Sequence, residues 1–292
     1  MGVLDIDEIN DAKQNFTAAI FARVSWNDPR EVHQESSTIQ KPLNEVWHPR
    51  IAFLNRQANT RPLGQTVDIQ SDGTVIQRIQ FWGDFSQPMN LRDFPFDTQT
   101  FDINVVLVGT KEDHKHFKLV TDPEIKSFVV DDYSAADWTL LGYEAGEKIH
   151  SLPTGEDVPA FCLSFTAKRR ATHYAIKVIM PLILIILVSW IVFWLDPSQG
   201  ATQLGLALTS FLTVIAYHAA LAAQLPELSY VSRLDRFIFC GTLMVFIALI
   251  EVVTTTNMSL AGHLEGARRL DRICRFVFPG LLGLACLYAF VF

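Results

Sequence analysis

The chain has 292 residues, of which 49% are hydrophobic and only 19% charged, with a formal net charge of −7. It is too apolar for an ordinary soluble domain and too acidic for a nucleic-acid binder, whose contact faces are basic. The charge is also segregated: residues 1–170 hold 25 acids and 17 bases, whereas residues 171–292 hold 6 and 7, together with nearly all the long apolar runs. A water-exposed front half and a membrane-embedded back half are therefore expected, divided at residues 170 and 171.

The first ten residues, MGVLDIDEIN, lack the basic start and apolar core of a signal peptide. Beyond them, short runs rich in β-branched and aromatic residues predict strands over Phe16–Trp26, Val67–Gln70, Thr74–Trp82, Phe101–Val108, Phe117–Val120, Trp138–Tyr143 and Ala160–Ala167. Ser71-Asp72-Gly73 between two of them reads as a hairpin, because a tight turn needs the positive φ that glycine supplies. Further turn signals recur at Asn27-Asp28-Pro29, Gln87-Pro88 and Pro153-Thr154-Gly155. Many short strands without intervening helices predict an all-β sandwich or barrel. Cys162, Cys240, Cys274 and Cys286 show no metal-ligand spacing, so neither a metal nor a cofactor is expected.

After Lys168-Arg169-Arg170 the composition changes, and four spans follow at about 174–195, 201–224, 237–258 and 273–292. The first contains Pro181, tolerated in a membrane helix when neighbours satisfy the carbonyl it frees. Trp190 and Trp194 mark its far end, at the interface. The second span has no charged residue, and Thr202, Gly205, Thr209, Leu212, Ala216, Ala219 and Ala223 recur along it at steps of three or four. They share one helical face, small and partly hydroxylated, with a single bulky side chain at Leu212. Such a face either packs closely against another helix or lines water. An even number of spans returns the C-terminus to the side of the β domain. Arg268, Arg269 and Arg272 in a loop expected over Ser259–Arg272, with Arg275 just past it, point that loop to the cytoplasm. Glu251, inside the third span, is either a functional acid or a group wetted at the interface. His114-Lys115-His116 beside Glu112 and Asp113 reads as a solvated loop, and His218 as a histidine packed against neighbouring helices.

The segment Gln87–Phe101, QPMNLRDFPFDTQTF, resembles the signature loop of the Cys-loop receptors, the pentameric ligand-gated ion channels. Gln87 and Phe101 stand where animal members carry the loop cysteines, which resembles the bacterial members. Trp47-His48-Pro49, Asp72-Gly73-Thr74, Arg169 before the first span, Pro181, and Leu212-Thr213 followed by Leu225-Pro226 match the family's motifs in order and spacing. The resemblance implies an extracellular β-sandwich over a four-helix bundle, repeated five times as a homopentamer in a cell (inner) membrane. Its β domain and C-terminus would lie on the extracellular or periplasmic side.

By the same resemblance the second span lines the pore, with Leu212 as a hydrophobic constriction and Glu227 at the outer mouth. Asp11, Phe94, Pro95, Phe96, Asp97, Arg169 and Pro226 would couple the two halves, Asp97 and Arg169 as a pair. The ligand site would draw on Phe53, Asn55, Arg78, Gln80, Thr110, Trp138, Tyr143 and Phe161. The agonist would be a small molecule or a proton, and the permeant species monovalent ions. Gly200-Ala201-Thr202-Gln203 makes a nearly neutral inner mouth, so cation selectivity would come from the acidic β domain and Glu227; an anion channel, or a membrane-anchored sensor that does not conduct, is the alternative. No Gly-x-Ser-x-Gly, His-Glu-x-x-His or phosphate-loop motif supports an enzyme.

Overall fold

The computed structural model describes residues 1–291 except 58–64, 110–116, 123–124, 152–156 and 223–229. Its contacts divide the chain into two compact units, one of residues 1–89 and 98–169, the other of residues 90–97 and 170–292.

The first unit is all β. Its strands are β1 (Gly2–Asn10), β2 (Asn15–Asn27), β3 (Ile39–Pro42), β4 (Ile51–Phe53), β5 (Thr66–Ile69), β6 (Thr74–Ser86), β7 (Thr98–Leu107), β8 (Phe128–Val129), β9 (Trp138–Ser151) and β10 (Asp157–Arg169). They form a six-stranded sheet in the order β3-β5-β6-β2-β1-β8 and a four-stranded sheet in the order β4-β7-β10-β9. All pairings are antiparallel except β1 with β8. Inward residues alternate along β2, β6, β7 and β10, as in strands with one face on a core.

Phe16 and Phe85 from the larger sheet meet Phe101 and Phe165 from the smaller one, all four fully buried. The ring centroids lie 5.1–5.5 Å apart across Phe16–Phe85, Phe16–Phe101, Phe16–Phe165 and Phe101–Phe165. Each such side chain contributes about 1.5–3 kcal/mol by burial, with more from offset and edge-to-face geometry. This cluster clamps the sheets together within a single subunit.

The hairpin at Asp72-Gly73 forms, joining β5 to β6 with Gln70 and Gly73 hydrogen-bonded across it. Gly73 has φ of +83°, and a Cβ there would stand 2.7 Å from the Asp28 carbonyl. Two expectations for this unit change. Phe117–Val120 forms no strand; Phe117 instead stacks on Trp47, with centroids 5.2 Å apart. And residues 2–10, outside the strands predicted, form β1, with bulges between Val3 and Asp5 and between Ile6 and Glu8 that break the period of two. Val3 and Ile6 still reach the core.

The second unit holds four helices: α1 (Thr172–Trp194), α2 (Gly200–Ala222), α3 (Arg233–Leu260) and α4 (Leu264–Phe290). All four are long and apolar enough to cross a membrane. In α1 the turn before Pro181 widens into a π segment over Ala175–Ile179. Pro181 cannot donate to the Lys177 carbonyl four residues back. The Tyr217 hydroxyl on α2 donates there instead, at 3.1 Å, and to the Val178 carbonyl at 2.9 Å. Ser232 opens α3 with a reciprocal cap, its hydroxyl accepting from the Asp235 N–H while the Asp235 carboxylate accepts from the Ser232 N–H.

The expected loop over Ser259–Arg272 is mostly helix. Only Ala261–His263 separate α3 from α4, closed by the His263 N–H on the Met258 carbonyl, and α4 begins at Leu264 rather than Ile273. Ala267, Asp271 and Phe278 recur at helical spacing and are buried, which carries the helix back through the polar stretch. The four arginines therefore sit on α4.

Candidate functional site

The helix α2 buries one face and exposes the opposite one. Gln203, Ala207, Ser210, Val214 and Leu221 are buried against the bundle. Thr202, Gly205, Thr209, Leu212, Ala216 and Ala219 are all exposed, Leu212 at 59%. At 100° per residue the two sets centre on opposite sides of the helix. The Thr209 hydroxyl donates to the Gly205 carbonyl and the Thr213 hydroxyl to the Thr209 carbonyl, both at 2.7 Å, so these hydroxyls turn back along the helix and leave their acceptor lone pairs facing outward. Ala223, Pro226 and Glu227 lie outside the described residues.

One expectation on this helix is corrected. Gln203 is not at the mouth of the exposed face: it is fully buried, and its Nε2 donates to the Leu195 carbonyl at 3.0 Å. His218 is exposed in the single subunit.

At the end of β10, in the β unit, the Arg169 guanidinium donates two hydrogen bonds to Asp11, at 2.8 and 2.6 Å. It also lies over the Trp138 ring, 4.3 Å from the centroid. The Arg169 side chain is only 3% exposed. A bidentate, desolvated pair with a stacked ring holds an arginine in one orientation. Sequence spacing offered no way to match Asp11 to Arg169, 158 positions apart.

The segment Asn90–Asp97 belongs to the helical unit. The Leu91 N–H donates to the Tyr230 hydroxyl at 2.9 Å, the Arg233 N–H to the Arg92 carbonyl at 3.0 Å, and the Arg233 side chain to Asp93 at 2.8 Å. Phe94, which precedes a cis bond to Pro95, meets Tyr174 edge-on at 4.7 Å, and Phe96 meets Phe290 at 5.7 Å. Asp97 is buried. The Phe-Pro-Phe tip thus packs on the ends of α1, α3 and α4.

Among the described residues, the expected ligand residues occupy separate places on the two sheets of one subunit. Asn55 locks strands together, donating to the Ser86 and Asp102 carbonyls and accepting from the Asn104 N–H. Phe53 packs edge-on against Phe81 at 4.8 Å. Arg78 pairs with Asp68 beside partly exposed Gln80, and Trp138 is buried under Arg169. Tyr143 and Phe161 are on β9 and β10, Tyr143 exposed. Thr110 and the Glu112–His116 loop lie outside the described residues. One cavity is lined by Trp47, His48, Arg50, Leu107, Val108 and Phe117, and another by Leu119, Glu147, Ile149, Val158 and Pro159.

Electrostatics in the β unit follow specific partners. Arg30 donates to Asp28 through Nε at 2.8 Å and Nη2 at 2.6 Å, and holds that carboxyl below the ordinary range. Partial burial pushes the Asp7 carboxyl up, against the hydrogen bond it accepts from the Trp82 indole, with Asp5 beside it adding to the rise.

Residues 1–165 match the family model described as the neurotransmitter-gated ion-channel ligand binding domain. Residues 178–265 match the one described as the neurotransmitter-gated ion-channel transmembrane region. All four cysteines are free, so no disulfide closes the loop between Gln87 and Phe101.

Proposed function

The chain belongs to the neurotransmitter-gated ion-channel family, and from that premise we propose that it is one subunit of a homopentameric, cation-selective channel opened by a small molecule or by protons. The observation that supports this most is the exposed small face of α2, turned away from the bundle that buries the rest of the helix. Five copies place Thr202, Gly205, Thr209, Leu212, Ala216, Ala219 and Ala223 around a common axis. Leu212 is the one bulky side chain among them, and a ring of five converging leucines dewets a pore and stops ions.

Ligand binding takes place between adjacent β units, drawing on Phe53, Asn55, Arg78, Gln80, Thr110, Tyr143 and Phe161, with Trp138 behind them. Arg169, fixed by Asp11, works with Asp97, the Phe94-Pro95-Phe96 tip and Pro226 to pass the signal to the pore helix. The β unit and C-terminus face the extracellular or periplasmic side of a cell membrane.

Selectivity follows from charge. Residues 1–170 carry net −8, so five copies bring about forty excess negative charges to the entrance, and Glu227 adds a ring at the outer mouth. The field is screened beyond about 8 Å at physiological salt, so only acids lining the path count.

The reversal potential under a NaCl gradient tests this reading. A value toward the sodium equilibrium potential, less so as salt rises, agrees with it, and Glu227→Gln lowers cation conductance. A value at the chloride equilibrium potential makes the channel anion-selective. Absence of any current from membranes that hold the assembled protein, including with Leu212→Ser, leaves a sensor that does not conduct.

A further inference from the structure

Within the helical unit, three helices each send one polar side chain to the same buried place. Gln203 comes from α2 with no exposure, Glu251 from α3 with 8%, and Asp271 from α4 with none. The Gln203 amide nitrogen donates to Asp271 Oδ2 at 3.4 Å and to the Leu195 carbonyl at 3.0 Å. Glu251 and Asp271 face each other, and the Cys274 thiol faces Glu251. The Glu251 carboxyl oxygens, Asp271 Oδ1 and Gln203 Oε1 are already enclosed within one subunit, before any assembly.

What remains unsatisfied is uniform in kind. Gln203 Oε1, both carboxyl oxygens of Glu251 and Oδ1 of Asp271 have no hydrogen-bond partner among the described residues. All are acceptors, and each costs free energy when buried without a donor. Among the described residues no lysine or arginine forms an ion pair with either acid. The nearby charges are committed elsewhere. Arg275 donates to the Phe193 carbonyl at 2.8 Å and lies over the Trp194 ring, and Asp196 is held by Arg268 at 3.0 Å. The hydroxyl of Thr256, five residues beyond Glu251, is also unpartnered, where Gly200 at the start of α2 lets the helices approach closely.

Beyond the Cys274 thiol, a weak donor, and the Thr256 hydroxyl, the described residues aim no donor at these acceptors, and a proton is the smallest one that completes the set. We propose that Gln203, Glu251 and Asp271 form a proton-binding site in the core of each helical unit, and that the bound proton latches α2 to α3 and α4. With the proton present, one carboxyl becomes a donor to the other or to Gln203 Oε1, and the cluster closes. Without it, two carboxylates face each other in a dry bundle and push α3 and α4 apart, while Gln203 Oε1 of α2 is left without a donor. The site needs only the fold described here; its effect on current rests on the reading of α2 as the pore helix.

Infrared spectroscopy of the purified, assembled protein tests the site without any current. The wild type is expected to show the C=O stretch of a protonated carboxyl at neutral pH, shifted in deuterated buffer. Glu251→Gln and Asp271→Asn should each remove it. A wild-type spectrum without the band at neutral pH overturns the proposal, as does a band that survives in both variants. Should the variants fail to assemble, titration of the wild-type band decides: a band following ordinary exposed carboxylates overturns the site. Absence of the band together with thermal stabilisation by sodium or calcium replaces the proton with a metal cation. In inside-out patches, a change of cytoplasmic pH should alter wild-type open probability and lose that effect in Glu251→Gln. A band without any current retires the pore reading and keeps the proton site.

Discussion

The two units solve the burial problem in opposite ways. The β unit completes its core alone, with Phe16, Phe85, Phe101 and Phe165 fully enclosed by two sheets of one chain. The helical unit turns much of its bulk outward: Leu212, Leu208, Ile215, Phe239, Phe276 and Leu284 are exposed, while the α2 face inside the bundle includes Gln203 and Ser210. In water that distribution would be unstable. Against lipid and neighbouring copies it is not, because hydrocarbon asks nothing further of an apolar side chain, and small or polar residues let helices approach and bond. The sandwich is thus a self-sufficient fold, and the helical unit is one stave of an assembly.

Substitutions that respect this contrast should separate stability from gating. The largest loss is expected at the sandwich core, where Phe16→Ala costs about 3–5 kcal/mol and lowers the thermal midpoint of the assembled protein. Next is Arg169→Ala, which removes the fork on Asp11 and the stack on Trp138. A loss of about 3 kcal/mol is expected, together with impaired gating at normal surface expression. Restoring charge alone with Arg169→Lys should recover less than half of this, since an ammonium cannot make the fork to Asp11. Normal gating in Arg169→Ala would remove its coupling role.

Smaller effects follow at the turn. Gly73→Ala forces a Cβ into positive φ against the Asp28 carbonyl, costing about 1–2 kcal/mol by chemical denaturation. Asp28→Asn should destabilise the protein at neutral pH and much less in acid. Arg30 lowers the folded-state value of Asp28, so the pair's contribution is full above the ordinary carboxylate range and fades as pH falls through the lowered one. An equal loss at every pH would mean that packing, not charge, matters there. The smallest change in stability belongs to Leu212→Ser, an exposed position on α2, yet this variant should raise leak current and agonist sensitivity. Unchanged leak and sensitivity would remove Leu212 from the constriction.

Hydropathy and periodicity in the sequence alone determined the acidic all-β front, the four apolar spans, the Asp72-Gly73 hairpin and the small face of α2. These are local properties: a run of apolar residues or a step of three and four needs no knowledge of distant partners. Tertiary structure decided the rest. Gln203 reads as one more residue at the start of a span, and only the arrival of α4 with Asp271 turns it inward. Arg169 reads as one of three basic residues before a membrane, and only the return of β1 and β2 brings Asp11 to it. β1 lies outside the strands predicted, with bulges in its pairing with β2, and α4 looked too short because its first turns are held by the buried Ala267 and Asp271 rather than by apolar length. For Gln203 and Arg169 the deciding contact joins residues far apart in the chain, where desolvation and hydrogen-bond geometry select the partner and sequence spacing carries no record of it.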